Sequence, residues 1–374
     1  MTQTEKKRFK DWFDQEAAEA LATQLSTVYP SFNQKGFIKS ATLNIHRLEM
    51  GDRVKQFSES MALFLPDDKK EALEIIHRSL PPLLPDVTEI TQGWLQWPVG
   101  NFIADYGLPH LETSFAAMID LTQCFTSEFA VRPFIEAYPE ECLSRLLELC
   151  THPSPHVRRW CSEGTRPLLP WGKKLKSLVH DPSPVWPLLE KLKDDPEKYV
   201  QKSVANHLND ISKNHPDLVV ARCELWLKEA SPDRQWIVKH GLRSLIKQGH
   251  PEALALIGYK PVKALACKLT STPEVLSIGE HTLLELTLMN HHSQTQKLLI
   301  DYAVTYVRQK GKTGRKVFKW TQITLEPEEH RSLTKKHSMR MTTVRALYPG
   351  EHRVEIQVNG QPMATTVFQL TVPT

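Results

Sequence analysis

The stretch HPSPHVRRWCSEGTRPLLPW, from His152 to Trp171, sets Arg159, Glu163 and Arg166 at spacings of four and three. On a helix those spacings put all three on one face. One reading is a solvated face laced with ion pairs; the other is a carboxylate set among cations for use. Proline followed four residues later by an apolar side chain recurs at Pro153/Val157, Pro196/Val200 and Pro232/Trp236, at offsets of 43 and 36. Superposing the units on these prolines puts Asn206 where Glu163 stands. Asn209, followed by Asp210, takes the place of Arg166. The third unit adds Trp236, Lys239, His240 and Arg243. Carboxylates would then lie in the middle, flanked by cations and aromatics. Upstream, Glu128 stands among Phe125, Phe129 and Val131, and a carboxylate in apolar surroundings is costly unless paired or used. Arg132, four residues on, is available to pair with it. Gly164 costs about 1 kcal/mol relative to alanine inside a helix, so something approaches its backbone, either a ligand or a neighbouring helix. Trp171 is a stacking platform or a core residue closing its repeat.

The elements that must position these residues change character once along the chain. Up to Gly258 the apolar residues recur at three- and four-residue steps, as in FIKSATLNIHRLEMGDRVKQFSESMALFLP, and prolines separate the blocks. Offsets of 36 and 43 lie in the neighbourhood of HEAT-type helix-pair repeats, which stack because no single unit buries its own apolar face. The first 150 residues lack a clean period and read as degenerate repeats or a helical cap. After Gly258 the period falls to two. HTLLELTLMNH, LLIDYAVTYVRQ, KVFKWTQITL, EHRVEIQVNG and ATTVFQLTV are short alternating segments divided by turn residues. RQKGKTGRK reads as a flexible hairpin loop and VNGQP as a tighter turn. The expectation is an all-α HEAT-like repeat solenoid over 1–258, followed over 259–374 by an all-β, immunoglobulin-like sandwich without a disulfide.

Composition sets bounds on this. The 374 residues are 40% hydrophobic and 24% charged, a globular balance. No run approaches eighteen apolar residues, and the start is charged and amphipathic, which argues against a membrane span and a secretory signal. Six scattered cysteines form no CxxC pair, as expected of a cytoplasmic chain without zinc or disulfides. From Tyr259 onward 16 Lys+Arg face 9 Asp+Glu, a net +7, while the first 258 residues carry −3. The basic last third permits nucleic-acid binding. Gly-rich phosphate loops, HExxH and metal-ligand clusters are missing, so neither cofactor nor metal is expected.

Four blocks in order, LTQCFTSEFAVRPFI, VRRWCSEGTRPLLPW, SVANHLNDISKNHP and WIVKHGLRSLIKQGHPEAL, resemble the AlkC branch of the AlkC/AlkD alkylpurine DNA glycosylases. The likeness runs through roughly residues 30–258, and the basic sandwich is similar to the subset carrying an immunoglobulin-like C-terminal domain. The resemblance implies a monomeric, cytoplasmic enzyme that removes N3-methyladenine from duplex DNA, with Glu128, Glu163 and Asp210 as catalytic carboxylates. It further implies a concave helical surface that bends the duplex and needs no deep pocket. A cationic methylated base is already an activated leaving group, so what helps is negative charge near the deoxyribose and a carboxylate to orient water. Asp210 is the candidate on the water side, with Glu163 and Glu128 toward the lesion. Trp160 and Trp171 are expected to contact lesion or sugar. Arg159, Arg166, Asn206, Trp236, Lys239 and Arg243 would line the DNA path, and Lys312, Arg315 and Lys316 would serve it from the sandwich. The alternative is a non-enzymatic HEAT-repeat scaffold whose sandwich binds a protein or nucleic acid.

Overall fold

The computed structural model describes residues 7–84, 87–341 and 346–372. Helices follow one another up to Leu256, and among the described residues every strand lies after them. Proline opens many of the helices, among them Pro139–Leu149, Pro155–Gly164 and Pro232–Gly241. The first turn suits it because its amide would have no partner there and its φ is already helical. The fold is a helical-repeat region followed by an immunoglobulin-like sandwich. No described helix is long and apolar enough to cross a membrane.

The chain forms two compact units, and the division does not fall where the periodicity changes. The first comprises residues 1–214 and 229–241; the second comprises 215–228 and 242–374. Within the first unit the Pro155–Gly164 helix packs on the Lys198–Ile211 helix, which packs in turn on Pro232–Gly241. The middle helix is nearly all interior: Val200, Val204, Ala205, Leu208 and Ile211 are buried, and so are Asn209 and Asp210. Gly164 is explained by packing, not by a ligand. A Cβ there would come within 2.7 Å of Val131 Cγ1, and its other near neighbours belong to Trp160.

In the second unit the strands are β1 (Leu265–Thr272), β2 (Val275–Ser277), β3 (His281–Asn290), β4 (Gln296–Val307), β5 (Thr313–Leu325), β6 (His330–Ser338), β7 (Gly350–Val358) and β8 (Gln361–Thr371). One sheet has the order β1-β3-β6 and the other β2-β8-β7-β4-β5, all pairs antiparallel except β2 with β8. Alternate residues fill the space between them, such as Leu284, Leu286 and Leu288 from one sheet and Ile300, Val304, Val354 and Ile356 from the other. The other face of β4 is covered as well, since Leu299 and Ala303 are buried. Asn359 and Gly360, at φ +48° and +78°, make the two-residue β7–β8 turn that favours this dipeptide. Gly249, at φ +82°, ends the Arg243–Gln248 helix against that turn.

The basic hairpin is tighter than its composition suggested. β5 begins at Thr313, so Arg315 and Lys316 are strand residues rather than loop residues. The connection is closed by the Arg308 amide donating to the Lys312 carbonyl at 2.7 Å. Lys310 and Gly311 both take positive φ inside it.

The contact between Gly249 and Gly360 leaves no room for a side chain: a Cβ on Gly360 would lie 2.6 Å from Gly249 Cα. Gly360→Ala combines that clash with a left-handed φ, and is expected to cost at least about 1–2 kcal/mol. Thermal unfolding of the full chain should show a midpoint several degrees lower; an unchanged midpoint would contradict this packing.

Candidate active site

The site is assembled by three pieces of the first unit. Glu128 sits in the turn between the Leu111–Cys124 and Arg132–Ala137 helices, Arg159 and Glu163 lie on Pro155–Gly164, and Asp210 is near the end of Lys198–Ile211. Glu128, Glu163 and Asp210 are 8%, 6% and 2% exposed. Burying three carboxylates this deeply demands partners, and each has them. Arg159 Nη1 donates to Glu128 Oε2 at 2.6 Å, and its Nη2 lies 3.7 Å from Glu163 Oε1. Arg166 Nη1 reaches Glu163 Oε1 at 2.5 Å, while its Nε donates to Asp210 Oδ2 at 2.8 Å. Lys213 Nζ donates to Asp210 Oδ1 at 2.9 Å. Acid and base therefore alternate along one chain: Glu128, Arg159, Glu163, Arg166, Asp210, Lys213.

Hydroxyl groups complete it. Ser203 Oγ donates to Glu163 Oε2 at 2.5 Å, and Thr126 donates to Glu128. The Arg159 guanidinium also lies 5.0 Å over the Tyr199 ring. Burial opposes ionisation of Glu163, yet Arg159, Arg166 and the Ser203 hydroxyl outweigh it and hold the carboxyl below its ordinary value. Burial likewise works against the charge on Arg166, and Glu163 with Asp210 overcome it, so its pKa is raised. His207 has no carboxylate to help it: burial pushes its imidazole down to about 3. It is a neutral ring with Nδ1 3.1 Å from the Ser162 carbonyl, which ties the Lys198–Ile211 helix to Pro155–Gly164.

Several expectations are corrected here. Trp160 does not face a ligand. It is 0% exposed and packs on Phe115 in the core. Arg132 does not pair with Glu128; its guanidinium is taken by backbone carbonyls of Gly164, Arg166 and Lys173. Trp171 does lie at the surface, 87% exposed, at φ +63°. Its ring is nearly parallel to Trp97 at 6.5 Å, and Trp97 is stacked on Phe129 at 5.9 Å. Trp236 stacks on His240 at 4.9 Å, with Lys198 above it, and Lys239 is exposed. Asn206 is half-buried. Arg243 opens the Arg243–Gln248 helix, which belongs to the second unit. In the sandwich, Arg315 pairs with Glu355 at 2.8 Å and Lys316 lies over Phe318. Lys312 is exposed at the end of the hairpin.

The sequence reading passed over Ser203, Lys213, Trp97, and the exposed Lys174 and Lys176 beside Trp171. Lys213 alone had a local signal, three residues after Asp210 on a helix end.

Residues 120–230, which span all three carboxylates, match the family described as "DNA alkylation repair enzyme", and residues 266–372 match "Uncharacterised protein YhaZ, C-terminal Ig-like domain". The chain is 37% identical over 363 residues to the YhaZ protein of Bacillus subtilis (strain 168), covering 96% of this chain and 99% of that one. It superposes with a TM-score of 0.87 on the Pseudomonas fluorescens alkylpurine DNA glycosylase AlkC, bound to DNA containing an abasic site analog, at 34% identity and with coverage of 97% and 99%. The chain belongs to the AlkC-type alkylpurine DNA glycosylase family. It carries both the helical region and the sandwich.

The depressed pKa of Glu163 fixes a sign. A carboxyl held below its unfolded value of 4.5 stabilises the fold above that pH and loses the contribution as pH falls through the folded value. Wild type should therefore lose stability in acid, below about pH 4.5, more steeply than Glu163→Gln, even though the variant is less stable at pH 7. Equal acid limbs in denaturant titrations across pH would show that Glu163 does not contribute through its charge.

Proposed function

We propose that the chain is a monofunctional glycosylase that hydrolyses the N-glycosidic bond of cationic alkylpurines, chiefly N3-methyladenine, in duplex DNA. The observation that carries this reading is the convergence of Glu128, Glu163 and Asp210 in one buried, charge-balanced chain. The likeness to AlkC supports it, because that protein was captured on DNA holding an analogue of an abasic site.

In the proposed reaction the electron pair of the bond from C1′ to the base nitrogen passes to the cationic base, which leaves neutral. Positive charge grows on the deoxyribose. Carboxylates already fixed by arginine need little reorganisation to stabilise it, which is where preorganised electrostatics contribute most. Water then adds to C1′ and gives its proton to a carboxylate. Asp210 suits that last role because its second oxygen is held by Lys213, whose side chain is 43% exposed and can swing aside. Glu163 and Glu128, locked by Arg166 and Arg159, suit the electrostatic role. Exposed Trp171 is followed by exposed Lys174 and, at the start of the next helix, Lys176, an aromatic residue and two cations close in sequence and of types suited to sugar and phosphate. The sandwich would add phosphate contacts through Lys312, Arg315 and Lys316.

Glu163→Gln and Asp210→Asn should each retain DNA binding and lower single-turnover release of methylated base by about tenfold or more, about 1.4 kcal/mol of barrier. Release at the wild-type rate by Asp210→Asn would remove it from the mechanism. For the sandwich, Lys312→Glu with Lys316→Glu should weaken binding to damaged and undamaged duplexes alike. The log–log salt slope should fall by about 2, one unit per lost phosphate contact. An unaltered slope would place these lysines off the DNA.

A further inference from the structure

We infer that Arg132 is a positioning residue for the reaction proposed above: a buried latch that ties the end of the Glu163 helix to the segment bearing Trp171 and so keeps that ring over Trp97. The inference rests on the glycosylase reading only for its catalytic consequence.

Arg132 is 1% exposed and joins no ion pair among the described residues. Instead its fork is spent on main chain. Nη1 donates to the carbonyls of Gly164 and Arg166, both at 2.9 Å, and Nε donates to the Lys173 carbonyl at 2.6 Å. The first belongs to the last residue of the Pro155–Gly164 helix, where carbonyls lack helical partners and the helix dipole favours a cation, and the second lies two residues beyond it. The third lies nine residues past Gly164, on the far side of Trp171. One planar guanidinium thus closes both ends of the connection between that helix and Lys176–His180. Burial, with Arg166 nearby, lowers its pKa to about 10, which leaves it charged near neutral pH. Nη2 is buried with no partner. A buried charge with an idle donor is an expensive way to satisfy three carbonyls, and it is explained if the segment must be held in one conformation.

What the segment holds is unusual. Trp171 combines a φ of +63° with almost complete exposure, so its ring gains little from burial to offset backbone strain. Gly172 follows it, and a Cβ there would lie 3.4 Å from Arg132 Nε, so the turn fits closely around the guanidinium. The exposed ring faces Trp97, Trp97 faces Phe129, and Phe129 is the residue after Glu128. Arg132 itself lies four residues after Glu128, so the turn that holds the acid also anchors the latch. Lysine offers no fork, and it could reach one of these carbonyls at a time.

The test uses the full chain and three variants: Arg132→Lys, which keeps the buried charge, Trp171→Ala, and both together. Two readouts are needed. Amide hydrogen exchange should rise in residues 165–175 in Arg132→Lys and stay unchanged in the helices before residue 110. Unchanged exchange in 165–175 overturns the latch whatever the enzymology. Single-turnover release of base from a duplex containing N3-methyladenine should fall about tenfold in Arg132→Lys. In the Trp171→Ala background the same substitution should cost less than about twofold, because residues acting through one another are not additive. Equal losses in both backgrounds would mean that Arg132 acts only by stabilising the fold, and would overturn the inference. If wild type releases no base, the glycosylase reading fails by itself, and the exchange experiment still decides the latch.

Discussion

Six side chains alternating in charge, from Glu128 to Lys213, form the interaction on which the helical region depends. Every link but the last, to the half-exposed Lys213, joins largely buried groups, and a buried ion left without its partner costs about 3–5 kcal/mol. The links also cross elements distant in sequence. Arg159 meets Glu128 across 31 residues, and Arg166 meets Asp210 across 44. The turn after residue 124, the Pro155–Gly164 helix and the Lys198–Ile211 helix must therefore keep their spacing to within a few tenths of an ångström. Much of the neighbouring packing serves that end. Gly164 lets Val131 approach, buried Trp160 fills the space beneath the helix, and the neutral His207 bonds the Ser162 carbonyl one residue before Glu163.

Part of this was legible in the sequence because part of it is local. Helix geometry puts Arg159 and Glu163 on one face, and the recurrent prolines bring the Asp210 helix alongside; Arg166, by contrast, lies two residues past the end of that helix. Which acid meets which base was not legible, since those pairings depend on how far one rung is displaced along another. Arg132 shows the limit well. Its four-residue spacing from Glu128 suggested a helical ion pair, but Glu128 lies in a turn outside the helix, where that spacing carries no such meaning. Trp160 failed for a related reason. Tryptophan serves cores and binding surfaces alike, and only the packing against Phe115 distinguishes them.

The sandwich was legible where the period of two is strong and opaque elsewhere. β3, β4, β5, β7 and β8 announce themselves by alternating apolar residues. β1, β2 and β6 do not, because one side of each is polar or the strand is very short. The last short helices group with the sandwich for a physical reason. β4 is buried on both faces, and the backbone contact of Gly249 with Gly360 seats a helix end on the β7–β8 turn. Periodicity marks where helix gives way to strand; it carries no information on which elements share a core.

The charge balance also resolves a tension in the proposed activity. Three carboxylates beside a DNA path would repel phosphates if they stood alone. Paired with Arg159, Arg166 and Lys213 they present little net charge at a distance, because opposite charges a few ångströms apart cancel beyond a Debye length of about 8 Å. At contact range the cancellation fails: a cationic sugar close to a carboxylate oxygen feels that oxygen far more than the arginine behind it. The arrangement is thus selective for charge that develops in place. It would also discriminate between a cationic alkylated base and neutral adenine without a pocket shaped to either, since the difference lies in the leaving group and in the charge it brings within reach of Glu163. Rigidity is then the requirement. A carboxylate free to turn toward its arginine would be neutralised, whereas Glu163, fixed between two arginines and the Ser203 hydroxyl, cannot turn further toward either.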